Sequence, residues 1–207
     1  QTSGGEITML QPDDILEFWF GSDQDDAVVA DKQAKLWWSK NAAVDAELKQ
    51  CFEASVLAAA SGSQNSWTET VTGRLALILL TDQLPRNIYR ATAQAFAFDP
   101  LARGWCKSGL QQRLDLQLRP IQRLFYYLPL EHSESREDQQ LCVELFRELA
   151  ESAPARLKSA CGWYLEFALR HQAIIDRFGR FPHRNQILQR NSTADELEFL
   201  QQPGSSF

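Results

Sequence analysis

Arg180, His183, Arg184 and Asn185 crowd into "RFGRFPHRN" (177–185), where guanidinium forks, an imidazole and a carboxamide could hold an anion or move a proton. Two further segments carry polar groups that local structure does not require. "DQLPRNIYR" (82–90) offers Asp82, Arg86, Asn87 and Arg90, and "YYLPLEHSE" (126–134) offers Glu131 and His132 between a proline and a helix start. Planar guanidinium groups suit the paired oxygens of carboxylates and phosphates, so Arg86, Arg90, Arg180 and Arg184, with Asn87 and Asn185, are the candidate ligand-binding residues. His132 and His183 are the candidate general acids or bases. His132 stands between Glu131 and Glu134, which should favour its charged form. Asp82 and Glu131 are expected to hold some of the arginines in place. Glu134, at a helix start, needs no chemical role. A metal site from Glu131, His132, His171 and His183 lacks any diagnostic spacing, so none is predicted, and neither is a cofactor.

These groups must be positioned by helices. Val44, Leu48, Cys51, Phe52, Val56 and Ala59 fall on one helical stripe, and Cys142, Leu145, Phe146 and Leu149 on another. Phe167, His171, Ile174, Ile175 and Phe178 share a face, which places His171 among core residues. Gly179 then stops that helix, and Phe181-Pro182 forces an extended turn that frees Arg180 to Asn185 from helical register. Within that loop, Arg180, beside the helix stop, is expected to be structural, and Arg184, past the proline, to face a ligand. Asp99-Pro100 reads as an N-cap followed by proline at the first helical position, Ser135 with Asp138 as a capping box, and Thr193 with Glu196 as a better one. Pro85 should end the apolar helix Arg74–Leu84. No convincing alternation of the strand type appears. The fold class predicted is all-α, an α-α superhelix of about eight or nine helices packed as antiparallel pairs in a single domain over 9–207. Gln1–Thr8 reads as a cloning remnant or flexible leader ahead of Met9. The residue pattern of tetratricopeptide repeats is missing, although helix pairs of about 35 residues are compatible with it.

The bulk composition narrows the function classes. The chain has 207 residues, is 44% hydrophobic and carries a net charge of -6, as ordinary globular proteins do. Fifteen of its 21 cations are arginines, scattered rather than gathered into a basic face, which argues against nucleic-acid partners. The longest apolar run, Leu75–Leu80, is far short of a bilayer span, and no secretory signal is read ahead of "ILEFWF". Four separated cysteines, Cys51, Cys106, Cys142 and Cys161, read as small buried hydrophobes of a reducing compartment, hence a cytoplasmic protein.

Taken in order, "DQLPRNIYR", "AFAFDPLAR", "LPLEHSE" and "RFGRFPHRN" resemble the bacterial domain-of-unknown-function 924 family, from "ILEFWFG" to "STADELEFL". The resemblance implies a tetratricopeptide-like helical fold and carries no activity or catalytic residues. Two positions depart: Leu130 stands where the family often has phenylalanine, and Gln189 where it usually has glycine.

Four readings stand beside each other. One is a binding module for a small anionic molecule or a peptide carboxylate. Another is an enzyme using His132 or His183 as acid or base while arginines stabilise negative charge, although no nucleophile elbow, phosphate-cradling glycine loop or zinc-protease helix motif is present. The third is the metal site, and the last a buried ion-pair network that only fixes helix register. What separates them is whether Arg86, Arg180, Arg184 and His183 line one open pocket with unpaired donors.

Overall fold

Six consecutive apolar residues, Leu75–Leu80, need apolar neighbours on every side, and in the structure, a computed structural model, each is 0% exposed. The structure describes residues 10–207, so the expected leader Gln1–Thr8 lies outside the described residues. Ten α-helices follow in order: α1 (Pro12–Phe20), α2 (Asp26–Trp38), α3 (Ala42–Ser61), α4 (Val71–Ile78), α5 (Leu84–Ile88), α6 (Asp99–Gln111), α7 (Pro120–Glu131), α8 (Arg136–Ser152), α9 (Lys158–Phe178) and α10 (Ala194–Leu200). Helix of all kinds covers 74% of the described residues, and no strand occurs among them. Because α4 is buried on every side from Gly73 to Ile78, it is the central rod: α1, α6 and α7 pack on it, α3 packs on α5, and α8 joins α7 to α9. The result is the all-α superhelix that the apolar periodicities predict. Buried side chains from α1 to α9 form one continuous core, while Ile174, Ile175 and Phe181 with Phe178, Phe199 and Phe207 close the C-terminal end.

Local signals hold at Ser135, which accepts from the Asp138 N–H, at the complete Thr193/Glu196 capping box, and at Gly179, whose φ of 69° ends α9. Three expectations need correction. Pro85 does not end its helix. Leu79–Gln83 widens into a π turn, in which the Leu84 N–H reaches back to the Leu79 carbonyl, and the chain runs straight on as α5 with Pro85 in its first turn. The extra residue shifts the hydrogen-bond ladder and so accommodates a residue with no N–H. Asp99 is not an N-cap but the first residue of α6, its carboxylate turned to Arg86 instead. Cys51 is exposed, whereas Cys106, Cys142 and Cys161 are buried free thiols. The buried face of α3 runs through Leu48, Phe52, Ser55, Val56 and Ala59, and Cys51 falls beyond its edge.

The glycine expected from the resemblance at position 189 has a physical reason in the backbone. Gln189 has φ of 56°, in the left-handed region where glycine is favoured, so the tight turn survives with a strained residue. Gln189→Gly is therefore expected to stabilise the fold by up to about 1 kcal/mol, read as a higher urea midpoint at unchanged slope.

Candidate functional site

Helix ends bring the three polar segments together. The π turn turns Asp82, Gln83 and Arg86 inward, α7 ends at Glu131 with His132 as its cap, and the Pro182–Arg184 turn closes over both. Between them lies a cavity of about 660 Å3. Its wall carries the polar side chains Arg86, Asn87, Arg90, Glu131, His132, His183 and Arg184 and the aromatic rings of Trp37, Trp38, Trp163, Phe167 and Phe207. A neighbouring hollow of about 420 Å3 shares Phe96, His132 and Arg184 with it. Residues far apart in the chain thus meet because helix packing puts their ends on one side.

Carboxylates already occupy most of the cations. Arg86 forms a bidentate pair with Asp99 at 2.8 and 2.9 Å, and its Nη1 also donates to the Asp82 carbonyl at 2.7 Å. Arg90 pairs bidentately with Asp45 at 2.6 and 2.9 Å, and Asn87 donates to the same carboxylate at 3.0 Å. Arg180 and Asn185 are not on the cavity wall. Arg180 clasps Glu196 at 2.7 and 2.8 Å, and Asn185, 1% exposed, donates to Ser192 and Glu196. Arg190 completes this brace with two bonds to Glu134, whose carboxylate also accepts the Phe181 N–H. The cations of the "RFGRFPHRN" loop therefore serve two purposes, bracing by Arg180 and exposure to the cavity by Arg184.

Arg184 differs from all of them. It is 7% exposed, stacks between Phe96 and Phe181 with 4.6 Å to each ring centre, and donates from Nη2 to the His132 carbonyl at 3.0 Å. Its nearest carboxylate, Asp99, is 4.0 Å away, and its Nε has no partner. Burial, with Arg86 nearby, lowers its pKa to about 10, so it remains a cation at neutral pH without a full counter-ion. Beside it His183 Nδ1 is also buried without a partner, and burial and Arg184 lower that imidazole to about 4.

The carboxylate that meets His132 is not a sequence neighbour. Asp82, 0% exposed, takes the Nδ1 hydrogen at 2.7 Å and a second bond from Gln83 at 2.8 Å. Burial would raise the Asp82 carboxyl, but His132 and Arg86 outweigh it and leave it lowered. His132 itself is shifted down, first by burial and then by Arg86, so the expectation of a favoured imidazolium is reversed. Glu134 is engaged by Arg190, and Glu131 is uncharged: burial, then the Asp82 charge, raise it to about 8. Glu131 holds no arginine. Its Oε1 lies 3.3 Å from His171 Nδ1, which donates to the Phe167 carbonyl and is lowered by burial to about 3. Although the pair has the geometry of a salt bridge, both partners are neutral near pH 7.

Sequence reasoning missed Asp45 and Asp99 as counter-ions, and the aromatic wall. Asp45 sits in an ordinary first helical turn, and Asp99 beside a proline looks like a cap, so only the fold reveals their partners. Trp38 and Trp163, whose ring centres lie 5.6 Å apart, come from α2 and α9, with no local pattern to connect them. Among the described residues, no group of three or more His, Cys, Asp or Glu is arranged to hold a metal ion, and no helix is long and apolar enough to cross a membrane.

Helix ends converging on a cavity lined by cations and aromatic rings belong to an all-α superhelical protein. The chain belongs to the family described as "Bacterial protein of unknown function (DUF924)", which matches it over residues 15–204. It is similar to a solved protein of unknown function from Agrobacterium tumefaciens, with 35% identity over 92% of this chain and 96% of the other and a TM-score of 0.77. No curated protein matches it.

Proposed function

We propose that the cavity binds a small molecule with a carboxylate head and an apolar or aromatic body. One observation carries this reading: Arg184 is a buried cation on the wall of a cavity of about 660 Å3 with its nearest carboxylate 4.0 Å away, while the other arginines of that wall, Arg86 and Arg90, are held in bidentate carboxylate pairs. That volume lies within the roughly 300–1,000 Å3 usual for small-molecule sites. Burying an incompletely paired guanidinium is costly, and an incoming carboxylate supplies the missing acceptor through its two oxygens. Trp38, Trp163 and Phe167 offer the body an apolar surface.

The test uses 4-phenylbutyrate, with 4-phenylbutylamine as the same body bearing the opposite charge. Three of the six tryptophans line the cavity, so intrinsic fluorescence reports occupancy. The acid should bind and the amine should not, and Arg184→Ala should weaken the acid by about 10- to 100-fold, the value of a charge-assisted hydrogen bond. Equal binding of the acid to Arg184→Ala and the wild type would sink the reading. Arg180→Ala, which acts on the brace, should leave the affinity unchanged.

A further inference from the structure

The cavity holds more than a binding site requires. His132 has one ring nitrogen fixed by a buried aspartate. Its Nε2 has no hydrogen-bond partner and is not enclosed, and the residue lines the cavity. This is how a carboxylate sets the tautomer of a general base: Nδ1–H is held toward Asp82, and the Nε2 lone pair faces outward. His183, by contrast, has no carboxylate to orient it. Arg184 is tied to the backbone carbonyl of His132, and both side chains line the same cavity. Glu131, the preceding residue, also lines the cavity and contacts His171, whose ring centre is 6.3 Å from that of His132. Base, cation and a second carboxyl group thus border one space.

We propose that this cavity is a hydrolytic active site, in which the Asp82–His132 dyad activates water against an ester or amide carbonyl, Arg184 receives the oxyanion and Glu131 protonates the leaving group. The proposal rests on the binding reading, since the carboxylate bound at Arg184 is then the reaction product. Among the described residues no hydroxyl or thiol hydrogen-bonds to His132 Nε2, which leaves the nucleophile's place to water. The water oxygen forms a bond to the carbonyl carbon as its proton passes to Nε2, and the carbonyl electrons move onto the oxygen facing Arg184. As the carbonyl re-forms, the bond to the leaving oxygen or nitrogen breaks with its electron pair, and Glu131 supplies the proton. The products are a carboxylate and an alcohol or amine. The proton on His132 then returns to Glu131 through solvent, and the excess proton of the new acid is released. Neutral His132 and protonated Glu131, the forms their surroundings favour at neutral pH, are the ones this cycle starts from. Asp82 acts through His132 and is a positioning residue.

The experiment compares 4-nitrophenyl 4-phenylbutyrate with the 4-nitroanilide of the same acid, and follows 4-phenylbutyrate binding separately. The wild type should hydrolyse both, with activity lost on the acid side as His132 protonates and on the alkaline side as Glu131 ionises. His132→Gln should lower kcat by about 100-fold or more with 4-phenylbutyrate affinity retained. Asp82→Asn should lower kcat and displace the acid limb of the pH profile. Glu131→Gln should impair the anilide far more than the nitrophenyl ester, whose leaving group departs without a proton, and should remove the alkaline limb. This variant also guards against misfolding as the cause of lost activity, since it removes no hydrogen-bonded partner. If the wild type binds 4-phenylbutyrate but hydrolyses neither substrate faster than His132→Gln, catalysis is overturned and binding stands. If the wild type does not bind 4-phenylbutyrate, both readings fall.

Discussion

Replacing Arg86 with alanine is expected to cost about 3–5 kcal/mol of folding stability, the loss typical when one partner of a buried ion pair is removed. Arg86 spans two carboxylates, Asp99 through a bidentate pair and Asp82 at 3.4 Å, with side chains only 11% and 0% exposed. Without the guanidinium, Asp82 is left with His132 and Gln83, and Asp99 with the distant Arg184. The same arginine caps the Asp82 carbonyl within the π turn, so its loss also loosens the segment that accommodates Pro85. Arg86→Lys should recover only part of the loss, because an ammonium cannot form the planar fork that fits Asp99. Urea denaturation of the three proteins decides this. A loss in Arg86→Ala no greater than that in Arg184→Ala would mean that these carboxylates adapt by other means. The contrast follows from the partners: Arg184 leaves no carboxylate without its main counter-ion.

Glu131→Gln is expected to act in the opposite direction and to stabilise the protein by about 2–3 kcal/mol at pH 7. The folded pKa of Glu131, about 8, lies above its ordinary value of 4.5, because burial and then the Asp82 charge oppose ionisation. Between these two values the folded protein holds a proton that the unfolded chain has released. Its contribution to stability is therefore complete below pH 4.5 and lost as pH rises toward 8. Glutamine has a similar shape and no charge, so the variant should lack this decline. The two proteins should be alike at about pH 4 and diverge progressively above it, a pattern that urea titrations across the range read directly. Parallel stability curves would show that Glu131 ionises freely in the folded protein. A buried carboxyl retained against such a cost is what a functional group would show, since activity and stability compete at such positions.

The two substitutions also mark how much of the site was legible in the sequence. Arg86 could be recognised as site-forming from "DQLPRNIYR", and its partner Asp82 was named, yet its stronger partner Asp99 read as a helix cap. From the sequence Glu131 reads as a support for an arginine, a role the structure gives to Asp45, Asp99, Glu134 and Glu196. His132 stands out in the sequence, but its chain neighbours mislead about its protonation. Local charge reasoning failed there because one neighbour is neutral through burial and the other is engaged elsewhere.

By itself the sequence determined the helical elements, since apolar residues at helical spacing must be buried on one side and caps must satisfy free backbone groups. It determined that three polar segments would interrupt those helices, and that a loop of glycine and proline would release Arg184 from helical register. The helix packing set which carboxylate each cation meets, because Coulomb interactions act through space and the packing fixes those distances. It decided that Arg180 is clasped and Arg184 is not, and that Asp82 orients His132 from 50 residues away. It also decided the charge states, because burial depends on neighbours that no local pattern names, and burial turns a carboxyl neutral at Glu131 while His132 and Arg86 together keep one ionised at Asp82 against its burial.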